Sequence, residues 1–393
     1  MTLLKYIISL FLFIFAVNAS PVEVRDVSNR ISLFANDLYS QCVKVKPGNV
    51  IISPLSVVTL LALLYEGTSG ETSEQLKTAL HLDNDKPTVA DQFLAHREAL
   101  QSSLGESTLS IANRVYFKEG YQLVKNFQDV AAAKYKSGAE PLNFIDSERS
   151  VATVNQFVET ETNGKIRDLY EKDAFDADTR VVLVNAIYFK GNWKSTFFKR
   201  STGKRDFYNS GTEKVSVDFM YNDDDFDSAY IKDLGATVLE MKYNNSKTSF
   251  VIVLPDERSG LPALEAKLKD YNLNKLTENL RSNRFEVHIP KFKIDYEIKL
   301  NDVLKNLGMT HMFNPSNDFN GLLETEEKLL VSDVVHKAFI EIDEKGSEAA
   351  AATAARMIAY SAPPVFFADH PFMFFLRDTE TNTMIFSGRI EKL

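Results

Sequence analysis

Between Val181 and Phe189 the chain is apolar almost throughout, and Asn185 is the one amide in the run. A strand with one wet face alternates; a continuous apolar run of this length reads as a strand covered on both faces. The sequence around it supplies possible covering layers. Ile31, Phe34, Leu38 and Cys42 share one face of a helix expected from Ser28 to about Val43. Asn49 to Ser53 is a short strand or turn. Ser53 then precedes Pro54 as an N-cap precedes a first helical residue, and an apolar stretch follows to Tyr65. Thr72 to Leu82 and Asp91 to Leu100 carry two more helical patterns. Leu109, Ile111, Asn113, Val115 and Phe117 alternate with their neighbours as in a half-buried strand.

Strand patterns recur at Phe250 to Leu254, Phe285 to Ile294 and Phe372 to Leu376. A turn in Asp378 to Asn382 leads to a closing strand from Met384 to Ile390. Helices come early and strands late, without regular βα alternation, which is a mixed α+β pattern. There is no Gly-, Ser- or Pro-rich linker and no repeat, and apolar segments continue from Ile31 to Ile390. One domain over residues 20–393 is the expectation. Asn113, Asn185 and His336 interrupt the apolar strands. A buried amide or imidazole is costly unless hydrogen-bonded, so each is expected to have partners.

The first residues concern compartment. A lone Lys5 precedes an apolar run from Tyr6 to Val17, broken by Ser9, and Val17-Asn18-Ala19 offers small residues for cleavage. Residues 1–19 read as a signal peptide cut after Ala19; the run of about a dozen residues falls short of the ~20 that span a bilayer. The mature protein is therefore expected to be secreted and extracellular. Its single cysteine, Cys42, excludes a disulfide within the chain and reads as a buried structural thiol. Formal charge is -9, more negative still once Lys5 is lost with the leader, which argues against nucleic acid or an anionic membrane as partner.

Signatures of catalysis are missing. No Gly-x-Ser-x-Gly elbow occurs, and Gly67-Thr68-Ser69-Gly70 has the wrong spacing. The six histidines never form His-Glu-x-x-His, and one cysteine excludes a cysteine-rich zinc site. Asp223, Asp224, Asp225 and Asp227 lack the Gly and distal Glu of a calcium loop and read as a solvated loop. No catalytic residue, metal or cofactor is expected.

The stretch from Glu344 to Pro364 behaves like no ordinary element. Glu344-Lys345-Gly346-Ser347-Glu348 leads into Ala349, Ala350, Ala351, Ala352, Thr353, Ala354 and Ala355, then Arg356-Met357-Ile358-Ala359-Tyr360-Ser361-Ala362-Pro363-Pro364. The alanines favour helix. Yet Ser347, Ala349, Ala351, Thr353, Ala355 and Met357 are small or uncharged at every second position, with Glu348 and Arg356 between them. Small side chains would slip between existing strands without forcing a packed interior apart. A sequence with two such states is a candidate switch.

This region resembles the hinge and reactive loop of an inhibitory serpin. Phe366-Phe367-Ala368-Asp369-His370-Pro371-Phe372 is similar to that family's C-terminal signature. Asn49 to Ser56, Thr162 to Ile166, Asn185 to Trp193 and His336-Lys337-Ala338 also match, so the likeness spans nearly all the mature chain. The resemblance implies the serpin fold, with three β-sheets, about nine helices and an exposed reactive loop. It implies that Ser53, Ser56, Asn185 and His336 lie where the central sheet parts, and that insertion begins near Trp193. The hinge and loop would occupy residues 344–362.

By the same resemblance the residue before the cleaved bond falls sixteen positions after Glu344, at Tyr360, with Ser361 following. An aromatic residue there suits the apolar pocket of a chymotrypsin-like protease. Arg356 is the rival for a trypsin-like enzyme, with Met357 beside it. The implied function is a suicide substrate: the protease acylates itself on Tyr360, the freed hinge inserts as a strand, and the enzyme is trapped in a covalent 1:1 complex. A non-inhibitory serpin of storage, transport or chaperone type would carry bulky or charged residues on the inserting face, and a secreted enzyme is the third reading. Asp91 to Leu104 offers only His96 and Arg97 where some relatives bear a heparin-binding cluster, so glycosaminoglycan is not expected as a partner. A monomer is expected, with Asn244 of Asn244-Asn245-Ser246 as the glycosylation site.

Overall fold

The computed structural model describes residues 21–269, 271–345 and 363–393. The leader, the hinge positions Gly346 to Thr353 and the Tyr360–Ser361 bond lie outside the described residues. Among the described residues there are eight α-helices: α1 (Pro21–Val45), α2 (Pro54–Glu66), α3 (Gly70–Ala79), α4 (Lys86–Ser103), α5 (Lys125–Val130), α6 (Ser147–Glu161), α7 (Leu261–Leu268) and α8 (Asn301–Asn306). The strands are β1 (Val50–Ile52), β2 (Thr108–Lys118), β3 (Gln122–Leu123), β4 (Gly138–Leu142), β5 (Val181–Lys190), β6 (Gly203–Asn209), β7 (Glu213–Ile231) and β8 (Ala236–Lys242). They continue as β9 (Thr248–Pro255), β10 (Arg281–Pro290), β11 (Phe292–Lys299), β12 (Leu323–Glu324), β13 (Val331–Ile342), β14 (Val365–Phe367), β15 (Phe372–Asp378) and β16 (Thr383–Ile390).

These strands form three sheets. One has five strands in the order β11-β13-β5-β2-β4. A nine-stranded sheet runs β1-β16-β15-β9-β8-β7-β10-β14 with β6 on β7, and β3 pairs with β12. The five-stranded sheet carries Asn113, Asn185 and His336.

Period-two alternation along β5 explains its unbroken apolar sequence. Val182, Val184, Ala186 and Tyr188 pack in a cluster with Val151, Val154 and Val158 of α6. Val181, Leu183, Ile187 and Phe189 face the opposite way, into the main core, which includes Leu60, Leu61 and Leu64 of α2. The sheet is thus sandwiched, as its apolar run requires. In β2, by contrast, simple alternation understates the burial: Val115 and Phe117 enter the main core while Tyr116 packs with α6.

Helix α2 begins as its sequence dictates. Ser53 Oγ accepts the Ser56 N–H at 3.2 Å, and Pro54 occupies the first turn, where its missing N–H costs no helical bond. Cys42 is fully buried, and burial pushes its thiol pKa up.

Two expectations need correction. Phe285 to Ile294 is not one strand. β10 belongs to the nine-stranded sheet and ends at Pro290, which has no N–H for a ladder, whereas β11 joins the five-stranded sheet. Nor is the acidic run a loop. It lies within β7, where Met220, Asn222, Phe226 and Ser228 are buried and Asp223, Asp225 and Asp227 fall on the other face. Arg284 on β10 grips Asp223 with two bonds of 2.7 and 2.9 Å, so cross-strand pairing holds the acidic segment extended.

Candidate functional site

The site starts from strand register. β5 and β13 run parallel and pair directly from Val331 and Val181 to Phe339 and Tyr188, with a shift between Val331 and Asp333. This register sets His336 opposite Asn185, and the antiparallel β2–β5 pairing sets Asn113 opposite Asn185. Three polar residues therefore form a row across three strands. They lie on the α2 side, since the even positions Val334, Ala338 and Ile340 of β13 belong to the main core.

The row is closed into a ring by the N-terminus of α2. His336 Nε2 accepts the Ser53 N–H at 3.2 Å, which fixes the tautomer, and Nδ1–H donates to Asn185 Oδ1. Ser56 Oγ donates to the same oxygen at 2.9 Å. Asn185 Nδ2 donates to Asn113 Oδ1, and Asn113 Nδ2 donates to the Ser56 carbonyl at 3.1 Å. All five residues are buried. Burial pushes the His336 pKa down to about 3, so the imidazole is neutral. The ring satisfies polar groups that otherwise would oppose packing the sheet onto α2.

Above Phe339 and Tyr188 the two strands no longer pair, and a second set of contacts takes over. Trp193 donates its backbone N–H to the Lys345 carbonyl at 3.0 Å and its indole N–H to the Asp343 carbonyl at 2.9 Å. Its ring stacks on Tyr243, with centroids 4.5 Å apart and planes at 18°. Phe197 N–H bonds the Glu344 carbonyl at 2.9 Å. The buried Glu344 carboxylate accepts from Thr202 Oγ1 at 2.8 Å and Lys291 Nζ at 2.7 Å. Burial alone would raise the Glu344 pKa, but the bonds from Lys291 and Thr202 outweigh it and hold the carboxyl below its ordinary value.

The chain that leaves this clamp is also fixed where it returns. β14 pairs parallel with β10, with Val365 opposite Glu286, and Glu286 N–H bonds the Pro364 carbonyl at 3.0 Å. A strand placed between β5 and β13 and folding back from the end of β13 would run antiparallel to both, replacing one parallel ladder with two antiparallel ones.

Sequence reasoning named Ser53, Ser56, Asn185, Trp193, His336 and Glu344, and the structure brings the first, second, third and fifth into one ring and the others into one clamp. Asn113 was legible only as an interior polar residue. Lys291, Thr202, Phe197 and Tyr243 were missed; Lys291 lies 53 positions from Glu344, and no local pattern announces the pair. Asn244 stands apart, half-buried in the turn after β8, its N–H bonded to the Asn192 carbonyl at 2.6 Å. His96 is buried against Thr383 at 2.7 Å, which leaves Arg97 as the one cation of its stretch at the surface.

Fold and site together define a class: proteins whose five-stranded sheet closes strand on strand, β5 directly on β13, with Trp193 and Glu344 clamped at the mouth of that pairing. Residues 29–393 match the family model described as Serpin (serine protease inhibitor), and the chain belongs to the serpin family. It is 33% identical to human Serpin B4 over 93% of this chain and 99% of that one. It is 37% identical to Antichymotrypsin-2 of Bombyx mori, covering 88% of this chain and 92% of that one. Among solved structures, Serpin48, described as a highly specific serpin of the insect Tenebrio molitor, aligns with a TM-score of 0.85 at 33% identity, covering 94% of this chain and 98% of that one.

Proposed function

We propose that this serpin is a secreted, monomeric suicide-substrate inhibitor of a chymotrypsin-like serine protease, cleaved between Tyr360 and Ser361. It needs no cofactor, catalyses nothing itself, and has neither nucleic acid nor membrane as partner. The observation that carries the reading is the direct β5–β13 pairing, with Trp193 and Glu344 clamping the point where the small-residue tract departs.

Length favours Tyr360 over Arg356. β13 has 12 residues, about 40 Å at ~3.3 Å each. A tether from Gly346 to Tyr360 has about fifteen residues, or about 50 Å, and overruns the far end of β13. One ending at Arg356 has about eleven, or about 36 Å, and stops short of it. A protease attached at Tyr360 is carried the full length of the sheet before water completes deacylation. The small odd-numbered side chains Ser347, Ala349, Ala351 and Thr353 oppose the non-inhibitory reading.

Mixing the protein with equimolar chymotrypsin tests this. A complex that survives boiling in detergent, with release of a C-terminal fragment beginning at Ser361, is expected. A fragment beginning at Met357, or turnover without any covalent complex, overturns it.

A further inference from the structure

A cleft of about 620 Å³ opens at the end of the β5–β13 seam opposite to Trp193 and Glu344. Its walls come from the connection between α6 and β5, from the residues that lead into β13, and from the start of α8. Asp333 lines it. That carboxylate accepts the Tyr170 hydroxyl at 3.2 Å, and Val335 and Phe339, on the same side of β13, pack with α6. The cleft therefore lies on the α6 side of the sheet and not in the main core.

Two conditions on the inserting tether meet at this place, and both rest on the insertion proposed above. Asp343 Oδ1 accepts the Lys345 N–H at 2.9 Å, which begins a turn where β13 ends. A four-residue turn over Asp343 to Gly346 sets Ser347 opposite Ile342. Antiparallel counting from that pair sets Tyr360 opposite Leu329, just beyond the Val331 that begins β13. The level of Tyr360 is thus that of the cleft. Its face follows from the period of two: Ile340 and Ile342 look into the main core, so Ser347 does too, and the even-numbered Tyr360 looks toward α6.

The cleft suits a tyrosine ring. Ala174 and Leu330 are half-buried in its wall and offer an apolar surface. Asp176 Oδ1 is occupied by the Asp178 N–H at 3.0 Å and the Thr179 hydroxyl at 2.9 Å, whereas the exposed Asp178 carboxylate has no ion pair or hydrogen bond among the described residues. A phenol O–H donating to a free carboxylate makes a charge-assisted bond. We propose that this cleft receives the Tyr360 ring once the strand has inserted, with the ring on Ala174 and Leu330 and the hydroxyl on Asp178. The ester joining the Tyr360 carbonyl to the protease serine is hydrolysed fastest when that ring sits in the enzyme's apolar pocket and holds the carbonyl in catalytic geometry. A ring retained by the serpin is kept from returning there, so the cleft prolongs the trapped state.

The experiment purifies the covalent complex with chymotrypsin, without denaturant, and follows the return of protease activity. Release should be about fivefold faster from the Asp178→Ala and Tyr360→Phe complexes, each of which loses one hydrogen bond, and about tenfold faster from Ala174→Trp, which fills the cleft. Asp178→Ala added to Tyr360→Phe should bring no further acceleration, because the hydroxyl that Asp178 accepts is already gone. Equal release from the parent, Asp178→Ala and Ala174→Trp complexes overturns this inference alone, as does an Asp178→Ala effect of the same size in the Tyr360→Phe background. A parent protein that forms no complex overturns the inhibitory reading, and this inference with it.

Discussion

His336 and Asn185 face each other as register partners across the parallel seam, and the imidazole Nδ1–H donates to the amide oxygen that also receives the Ser56 hydroxyl. One oxygen thereby ties β5 to β13 and to α2. Any strand that enters the seam must part His336 from Asn185 and give their polar atoms new partners, since leaving them unmet costs about 1–3 kcal/mol each.

This arrangement predicts acid sensitivity. The unfolded imidazole titrates near ~6.5, whereas burial holds His336 at about 3 and His96 at about 4 in the folded protein. Between those values the unfolded chain binds the extra protons. The contribution of these two histidines is therefore full above pH ~6.5 and falls as pH drops, by up to ~1.4 kcal/mol per pH unit for each, and it outweighs the opposite trend of Glu66 alone, whose folded pKa burial raises to about 7. Urea midpoints for the first unfolding transition should decline from pH 7.5 to 5, and His336→Gln should flatten the decline while lowering the midpoint at pH 7.5. Parallel curves for the two proteins would falsify the assignment.

The clamp makes a separate prediction. Lys291→Ala leaves a Glu344 oxygen buried without its cation, at a cost of about 1–3 kcal/mol. The mouth of the seam should open more readily, so a synthetic peptide with the sequence of residues 346–357 should anneal about tenfold faster. Adding Glu344→Gln removes the uncompensated charge and should return most of the difference. An unchanged annealing rate would mean that the ion pair does not restrain the seam.

Under the proposed insertion, Ser347 would be the first side chain to pass inward. Ser347→Arg should convert the inhibitor into a substrate, because a buried unpaired charge costs several kcal/mol and each ~1.4 kcal/mol slows a step about tenfold. Glu348→Arg, one position on, should keep its side chain in water and alter little. The readout is inhibitor consumed per protease inactivated. A ratio near one for Ser347→Arg, or an equal rise in both variants, removes the period-two argument.

Tyr360→Arg should move inhibition from chymotrypsin toward trypsin-like enzymes, because the protease pocket reads that side chain. Association rates with the two enzymes should cross over. Chymotrypsin inhibition that stays unchanged would show that another bond is cut.

What the sequence shows of the site depends on distance along the chain. Ser53 and Pro54 are neighbours, and the helix start they announce is where they place it. The double coverage of β5 is written in nine consecutive residues. Asn113, Asn185 and His336 each stand out as polar interruptions, but only register shows that they form one row. The Lys291–Glu344 pair has no local trace, because an ion pair across two strands obeys no spacing rule. The acidic stretch misleads for a related reason: its extended form depends on Arg284 in another strand.

Trp193 is the chain's single tryptophan, and it lies at the mouth of the seam, stacked on Tyr243 with its indole bonded to the Asp343 carbonyl. The protein's intrinsic indole emission is therefore a local optical signal. A fluorescence trace recorded during heating, denaturation or encounter with a protease reads the state of this gateway and of Phe250 of β9, against which the indole packs edge-on, and reports on α1 only as far as it is coupled to them.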